Sequence, residues 1–278
     1  MTAIALALAA SASWGLGDFY GGLTSRRLHV LTVLVVQQIF GLAFALTWVM
    51  ASGDGVPSAG ALAWASAAGA SGCLGIGSLY RGMAIGAMGI VAPVSAVSSA
   101  IPFAVGIASG ERPGALQVLG VVLALSGVAV ASREPAALGG GRAAGVGLAL
   151  LAALGFGLYF VFADRAAEES VPFAVATARG ASLLLAIVAA LAVGAALRPP
   201  SRSFLPVLAL IGLCDVGANM LFSLATTRGY LSIVSVLSAL YPVVTVALAA
   251  TVLHERVAPT QRLGVAGALT GAALITAG

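Results

Sequence analysis

Residues 111–127 read ERPGALQVLGVVLALSG, and residues 255–271 read ERVAPTQRLGVAGALTG. At a shift of 144 the two segments agree at nine of seventeen positions. Ala and Leu coincide by chance in apolar sequence. A Glu-Arg pair, a Gln and spaced glycines in one register do not. Glu111-Arg112 falls on Glu255-Arg256, Gln117 on Gln261, Gly120 on Gly264 and Gly127 on Gly271.

Upstream, the correspondence continues at a shift of 140. Gly15 falls on Gly155, Gly17 on Gly157, Gly72 on Gly212, Gly77 on Gly217 and Gly89 on Gly229. Val94-Ser95 falls on Val234-Ser235, Ser98 on Ser238 and Pro102 on Pro242. The second copy then gains four residues, about one helical turn. A self-similarity of this kind marks a repeated structural unit. The chain reads as a duplication, with copies over 1–138 and 139–278.

Composition says where the duplicated unit lives. Of 278 residues, 60% are hydrophobic and 8% charged, and the mean hydropathy is +1.10. A soluble domain carries roughly a quarter charged residues. This chain has no such coat and reads as an integral membrane protein. Its net charge of +4 comes from arginines scattered singly or in pairs, with no basic stripe, so no nucleic-acid partner is expected. Cys73 and Cys214 stand in apolar runs outside any C-x-x-C, and His29 and His254 are the two histidines. No metal site, disulfide scaffold or cofactor is expected.

A helix needs about 20 apolar residues to cross the hydrocarbon layer. Cutting at charge, Pro and Gly clusters gives ten stretches: 3–23, 30–50, 59–80, 88–109, 115–132, 143–164, 172–195, 204–226, 230–252 and 260–277. The first lacks the positive leading segment of a signal peptide and continues apolar past Trp14, so it reads as a membrane helix. Alternating barrel segments are absent, which leaves a helical bundle. The expected fold is all-α: ten transmembrane helices in two five-helix copies. Five is odd, so the copies cross in opposite directions, and inverted repeats of this kind are a secondary-transporter architecture with its site between the halves.

The hairpins GERP…Q…G…SG and HERV…Q…G…TG, the WG of the first stretch, and Pro102 with Pro242 resemble the EamA family of the drug/metabolite transporter superfamily. The resemblance covers both copies and implies two inverted repeats around a central cavity, lined chiefly by the fourth and ninth helices. It implies export of small metabolites, amino acids among them, or import of related solutes, without nucleotide hydrolysis. It also implies an arginine in the second helix of each half. Arg179 fits in the second copy; Gln37-Gln38 stand in that region of the first.

Polar residues at membrane depth narrow the site. A charge at the bilayer centre costs on the order of 3 kcal/mol on insertion scales, so it faces water or a partner. Asp18 lies in the first stretch with Trp14 one turn earlier on the same face, and its repeat counterpart is Leu158. Asp215 and Asn219 share a face of the eighth stretch, where the first copy has Gly75 and Leu79. Substrate contact is expected from Asp18, Trp14, Asp215, Asn219, Tyr241, Ser95 and Ser235, and proton or ion coupling from Asp18 and Asp215. The alternatives are an interfacial carboxylate for Asp18 and an interhelical bond for Asp215. Arg179 either snorkels to the interface or pairs with a carboxylate such as Asp215. Pro93, Pro102 and Pro242 are expected to kink the fourth and ninth helices as gates. Gly120, Gly127, Gly264 and Gly271 are expected to clasp the fifth helix to the tenth.

The function expected is alternating-access export of amino acids or related amine-bearing solutes by a monomer in a bacterial inner membrane. An intramembrane enzyme is the second class, but Ser78 in GIGS has no histidine on a neighbouring stretch. A channel would need a continuous polar pore. No Walker A sequence is present. Orientation rests on two conflicting grounds. The family arrangement puts the N-terminus in the cytoplasm, which leaves Arg112, Arg165 and Arg228 inside and nine arginines outside; the positive-inside rule prefers the reverse.

Overall fold

The computed structural model describes residues 1–85, 88–131, 142–194, 200–252 and 259–277. The charged breaks at Arg133-Glu134 and His254-Glu255-Arg256 lie outside them. In the first copy the helices are α1 (Thr2–Ser25), α2 (Val30–Ser52), α3 (Ala59–Ile85), α4 (Met88–Ser95), α5 (Ala100–Ala108) and α6 (Ala115–Ala131). In the second they are α7 (Arg142–Ala167), α8 (Val171–Ala192), α9 (Leu205–Thr226), α10 (Leu231–Ser238), α11 (Tyr241–Val252) and α12 (Pro259–Ala277).

Among the described residues, seven helical segments are long and apolar enough to cross a membrane: Thr2–Ser25, Val30–Ser52, Ala59–Ile85, Gly147–Ala167, Val171–Ala192, Arg202–Thr226 and Leu231–Val252. Three of the ten expected spans appear as shorter apolar helices, Ala96–Ala108, Ala115–Gly127 and Arg262–Ile275. The polarity of the bundle is reversed relative to a soluble protein. Leu184, Leu191 and Leu263 are exposed, while Asp18, Gln38, Arg179 and Asp215 are buried. That distribution suits a lipid exterior and a polar centre.

Pro102 and Pro242 each stand just past an interruption in a run of helix. Pro102 stands in the first turn of α5, just after a 3-10 turn over Ala96–Ser99. Pro242 stands in the first turn of α11, four residues beyond Ser238, the end of α10. A first-turn proline forfeits no helical hydrogen bond. The interruptions, a 3-10 turn over Ala96–Ser99 and a turn at Ala239 and Leu240, fall shortly before each proline, where a proline bends a helix. Pro93 lies inside α4.

Packing runs between the copies. α3 lies along α7, α1 along α9, α2 along α8 and α6 along α12. Since α1 corresponds to α7 and α3 to α9, the first two contacts are one contact with the copies exchanged. Glycine sets the closest approach. A Cβ on Gly127 would fall 2.3 Å from the Ala268 amide nitrogen and 2.6 Å from the Gly264 carbonyl, and one on Gly120 would fall 2.6 Å from the Gly271 carbonyl. The α6 and α12 backbones thus touch, and the pairing of low numbers with high shows them antiparallel.

Polar ties cross the copies at the end that holds the N-terminus. The Leu231 and Ser232 amides donate to the two Glu111 oxygens at 2.7 and 2.9 Å, so Glu111 caps α10 across the sequence. The Ser58 amide and hydroxyl donate to Glu169 at 2.7 and 2.6 Å, and the Ser170 hydroxyl donates to Asp54 at 2.6 Å. Ser170 also accepts from the Phe173 amide, opening α8 with Pro172 in its first turn.

Candidate functional site

A cavity lies among the middles of α1, α2, α3, α7, α8 and α9 and the start of α11. Its polar lining is Asp18, Gln38, Arg179, Ser182, Asp215 and Asn219; its aromatic lining is Trp14, Phe156, Tyr159, Phe160 and Tyr241.

The polar groups form one chain of bonds. Arg179 Nη1 donates to Asp215 Oδ2 at 2.6 Å and also to Gln38 Oε1. Gln38 Nε2 donates to the Ser182 hydroxyl, one turn from Arg179 on α8. Trp14 Nε1 donates to Asp215 Oδ1 at 3.1 Å, so both oxygens of that carboxylate are held. Four helices meet in this network, two from each copy. Arg179 resolves its two sequence readings by pairing inward.

Asp18 differs. It is buried, lines the cavity, and takes no hydrogen bond from any described residue. The lining holds two carboxyl groups and one guanidinium, and the guanidinium is committed to Asp215.

Aromatic rings cover the network. Trp14 lies edge-on to Tyr159 at 6.4 Å between centroids and 5.7 Å from Phe160, while Phe160 and Phe222 stand 4.8 Å apart. Phe156 meets Tyr241 edge-on at 6.4 Å. Flat rings around a fixed polar cluster present an apolar wall with a charged floor.

Of the residues singled out in the sequence, Trp14, Asp18, Asp215, Asn219 and Tyr241 line this cavity. Ser95 and Ser235, expected beside them, are not among the lining residues. Ser95 sits behind Tyr241, bonded to its hydroxyl, and donates to its own turn at Ala92 O, 2.7 Å away. Ser235 donates to Ser232 O at 3.2 Å and is fully buried. Back-bonding of this kind is the usual fate of a serine within a helix. Ser182 and Phe160 were missed. Ser182 was within reach as the residue three positions after Arg179; nothing in the sequence set Phe160 apart. The amide of the neighbouring Gln37 is buried and has no partner among the described residues.

The second copy puts a site where the first puts a tight crossing. Asp215 on α9 meets Trp14 of α1. Its counterpart Gly75 on α3 lies against α7, where a Cβ on Gly155 would fall 2.6 Å from the Gly75 nitrogen. One interface is closed on glycine and the other is opened by side chains.

Membrane-length helices enclosing an internal cavity with a buried ion pair define a multi-pass membrane protein built around a polar site. Its family is shown by a model of the EamA-like transporter family, which matches residues 1–133 and again 143–277; the chain belongs to that family. A crystal structure of another protein is similar in fold, with a TM-score of 0.72 over 97% of this chain and 96% of its own at 18% identity. No curated protein matches the sequence.

Proposed function

We propose that the protein is a secondary transporter of the drug/metabolite type that exports amino acids or related amine-bearing solutes by alternating access, with Asp18 coupling the movement to protons. Membership in a transporter family supports the class. The observation that carries the finer reading is Asp18: a buried carboxyl group in the cavity lining with no donor among the described residues, beside a second carboxylate already neutralised by Arg179. A proton or the amine of a solute is the missing partner, and the two compete for one position. The aromatic wall suits the apolar part of such a solute.

Ten membrane helices in two inverted five-helix repeats, 1–138 and 139–278, fit this reading. The antiparallel α6–α12 contact and the exchange-related pairs α3–α7 and α1–α9 support the inversion, and packing between copies gives two halves that can rock about the site. The membrane proposed is the bacterial inner membrane, with the monomer as the working unit. Neither catalysis nor nucleotide hydrolysis enters the scheme.

The test is counterflow in proteoliposomes with a panel of radiolabelled amino acids and simple amines. At least one should exchange saturably and accumulate with a pH gradient. Asp18→Asn should retain exchange and lose the response to the gradient. Flux that rises linearly with concentration would instead indicate a channel, and a gradient response intact in Asp18→Asn would remove the coupling role.

A further inference from the structure

Asp18 begins a row of buried polar groups that follows one face of α1 away from the cavity. Gly21 is about one turn on and Ser25 two turns on, so the three positions share a face. Tyr80 of α3 lays its hydroxyl on Gly21: a Cβ there would fall 2.3 Å from Tyr80 Oη. The Tyr80 hydroxyl is also close enough to the Asp18 carboxyl for the two to interact electrostatically. Tyr80 Oη and Ser25 Oγ are buried and bond to no described residue. Buried hydroxyls without protein partners are satisfied in native proteins by ordered water.

The repeat supplies an internal comparison. At the shift of 140, Asp18 becomes Leu158, Gly21 becomes Val161 and Tyr80 becomes Met220. The second copy folds with none of the three, so the shared architecture does not require them.

The row also points the right way. The N-terminal end of α1 is where Glu111, Ser58–Glu169 and Asp54–Ser170 tie the copies together. Ser25 lies at the opposite end, next to the exposed Arg26 and Arg27.

We propose that water held by Tyr80 Oη and Ser25 Oγ conducts protons between Asp18 and the compartment at the C-terminal end of α1. The inference rests on the coupling role proposed for Asp18 and adds its route and its side. The hydroxyls orient the water and end each passage unchanged; Asp18 alone gains or loses the proton. The charged and titratable groups around Asp18 are Asp215 from α9, held by Arg179 from α8, together with Tyr80 from α3 and Tyr241 from α11.

The test needs no transported solute. N,N′-dicyclohexylcarbodiimide modifies protonated buried carboxyl groups, and the Asp18 adduct is read by mass spectrometry, with Asp18→Asn as the blank. The protein is reconstituted in one known orientation with the two compartments buffered separately. Lowering the compartment at the C-terminal end of α1 by one pH unit should raise the adduct by up to about tenfold, while the other compartment has no effect. In a Tyr80→Phe, Ser25→Ala variant, which keeps the ring and the packing, the adduct formed in a short pulse after a pH jump should fall about tenfold or more. An unchanged pulse yield in a variant of parental thermal stability, or an adduct that follows the other compartment, overturns the route and leaves coupling at Asp18 standing. An adduct indifferent to both compartments overturns coupling at Asp18 and the route with it.

Discussion

Arg179 Nη1 lies 2.6 Å from Asp215 Oδ2, with the two side chains only 5% and 10% exposed. The pair joins α8 to α9, and Gln38 and Trp14 extend it to α2 and α1. Because the charges are out of water, each depends on the other far more than a surface pair would.

Removing one member should therefore cost more than removing both. Arg179→Met leaves Asp215 buried with Trp14 as its one remaining donor among the described residues and should destabilise the protein by about 3–5 kcal/mol. Adding Asp215→Leu removes the orphaned charge and should restore much of that loss. Thermal unfolding in detergent checks the order. A double variant no more stable than the single would show that the two groups are not one energetic unit.

Glu111 offers a second test, at the N-terminal end of α1. Its two oxygens take the first amides of α10, where the helix dipole favours a negative charge. Glu111→Gln keeps the size but turns one acceptor into a donor facing another donor. The expected loss is about 1–2 kcal/mol, a factor of roughly 5–30 in local opening. Faster hydrogen exchange at Leu231 and Ser232, with the rest of the bundle unchanged, is the expected outcome.

The duplication was legible because Glu, Arg, Gln and spaced Gly rarely recur together in apolar sequence. Asp215 with Asn219, and Trp14 with Asp18, were legible because the helical period puts each pair on one face. Spacing within a helix says nothing about which distant helix it meets, so the partner of Arg179 stayed open between the interface and Asp215. Ser95 and Ser235 are repeat mates, yet only Ser95 reaches a tyrosine; a symmetric pattern cannot announce where the copies diverge.

Glu169 gives a pH test outside the membrane. The Ser58 hydroxyl and amide hold its carboxyl below the ordinary glutamate range. A depressed folded value means stability that is present above the unfolded value and lost as pH falls through the folded one. The contact should therefore weaken only on the acid side. Ser58→Ala keeps the amide bond, so it should move Glu169 only part of the way back toward the ordinary range in a carboxyl-resolved NMR titration and shrink the acid limb of the stability profile. An unmoved titration would mean that the hydroxyl contributes nothing to the shift.

Two glycine substitutions separate helix propensity from backbone contact. Replacing glycine by alanine inside a helix normally stabilises by about 0.4–1 kcal/mol, because the unfolded chain loses freedom. Gly180 in α8 has open space at its Cβ position, so Gly180→Ala should show that gain. Gly127→Ala enjoys the same gain in propensity, but its Cβ would lie 2.3 Å from the Ala268 nitrogen and 2.6 Å from the Gly264 carbonyl. Backbone cannot swing aside as a side chain does, so α6 and α12 must separate, at a cost of about 1–3 kcal/mol. Opposite signs for the two variants in thermal unfolding are expected. A stabilising Gly127→Ala would place α6 and α12 farther apart than the touching backbones described above.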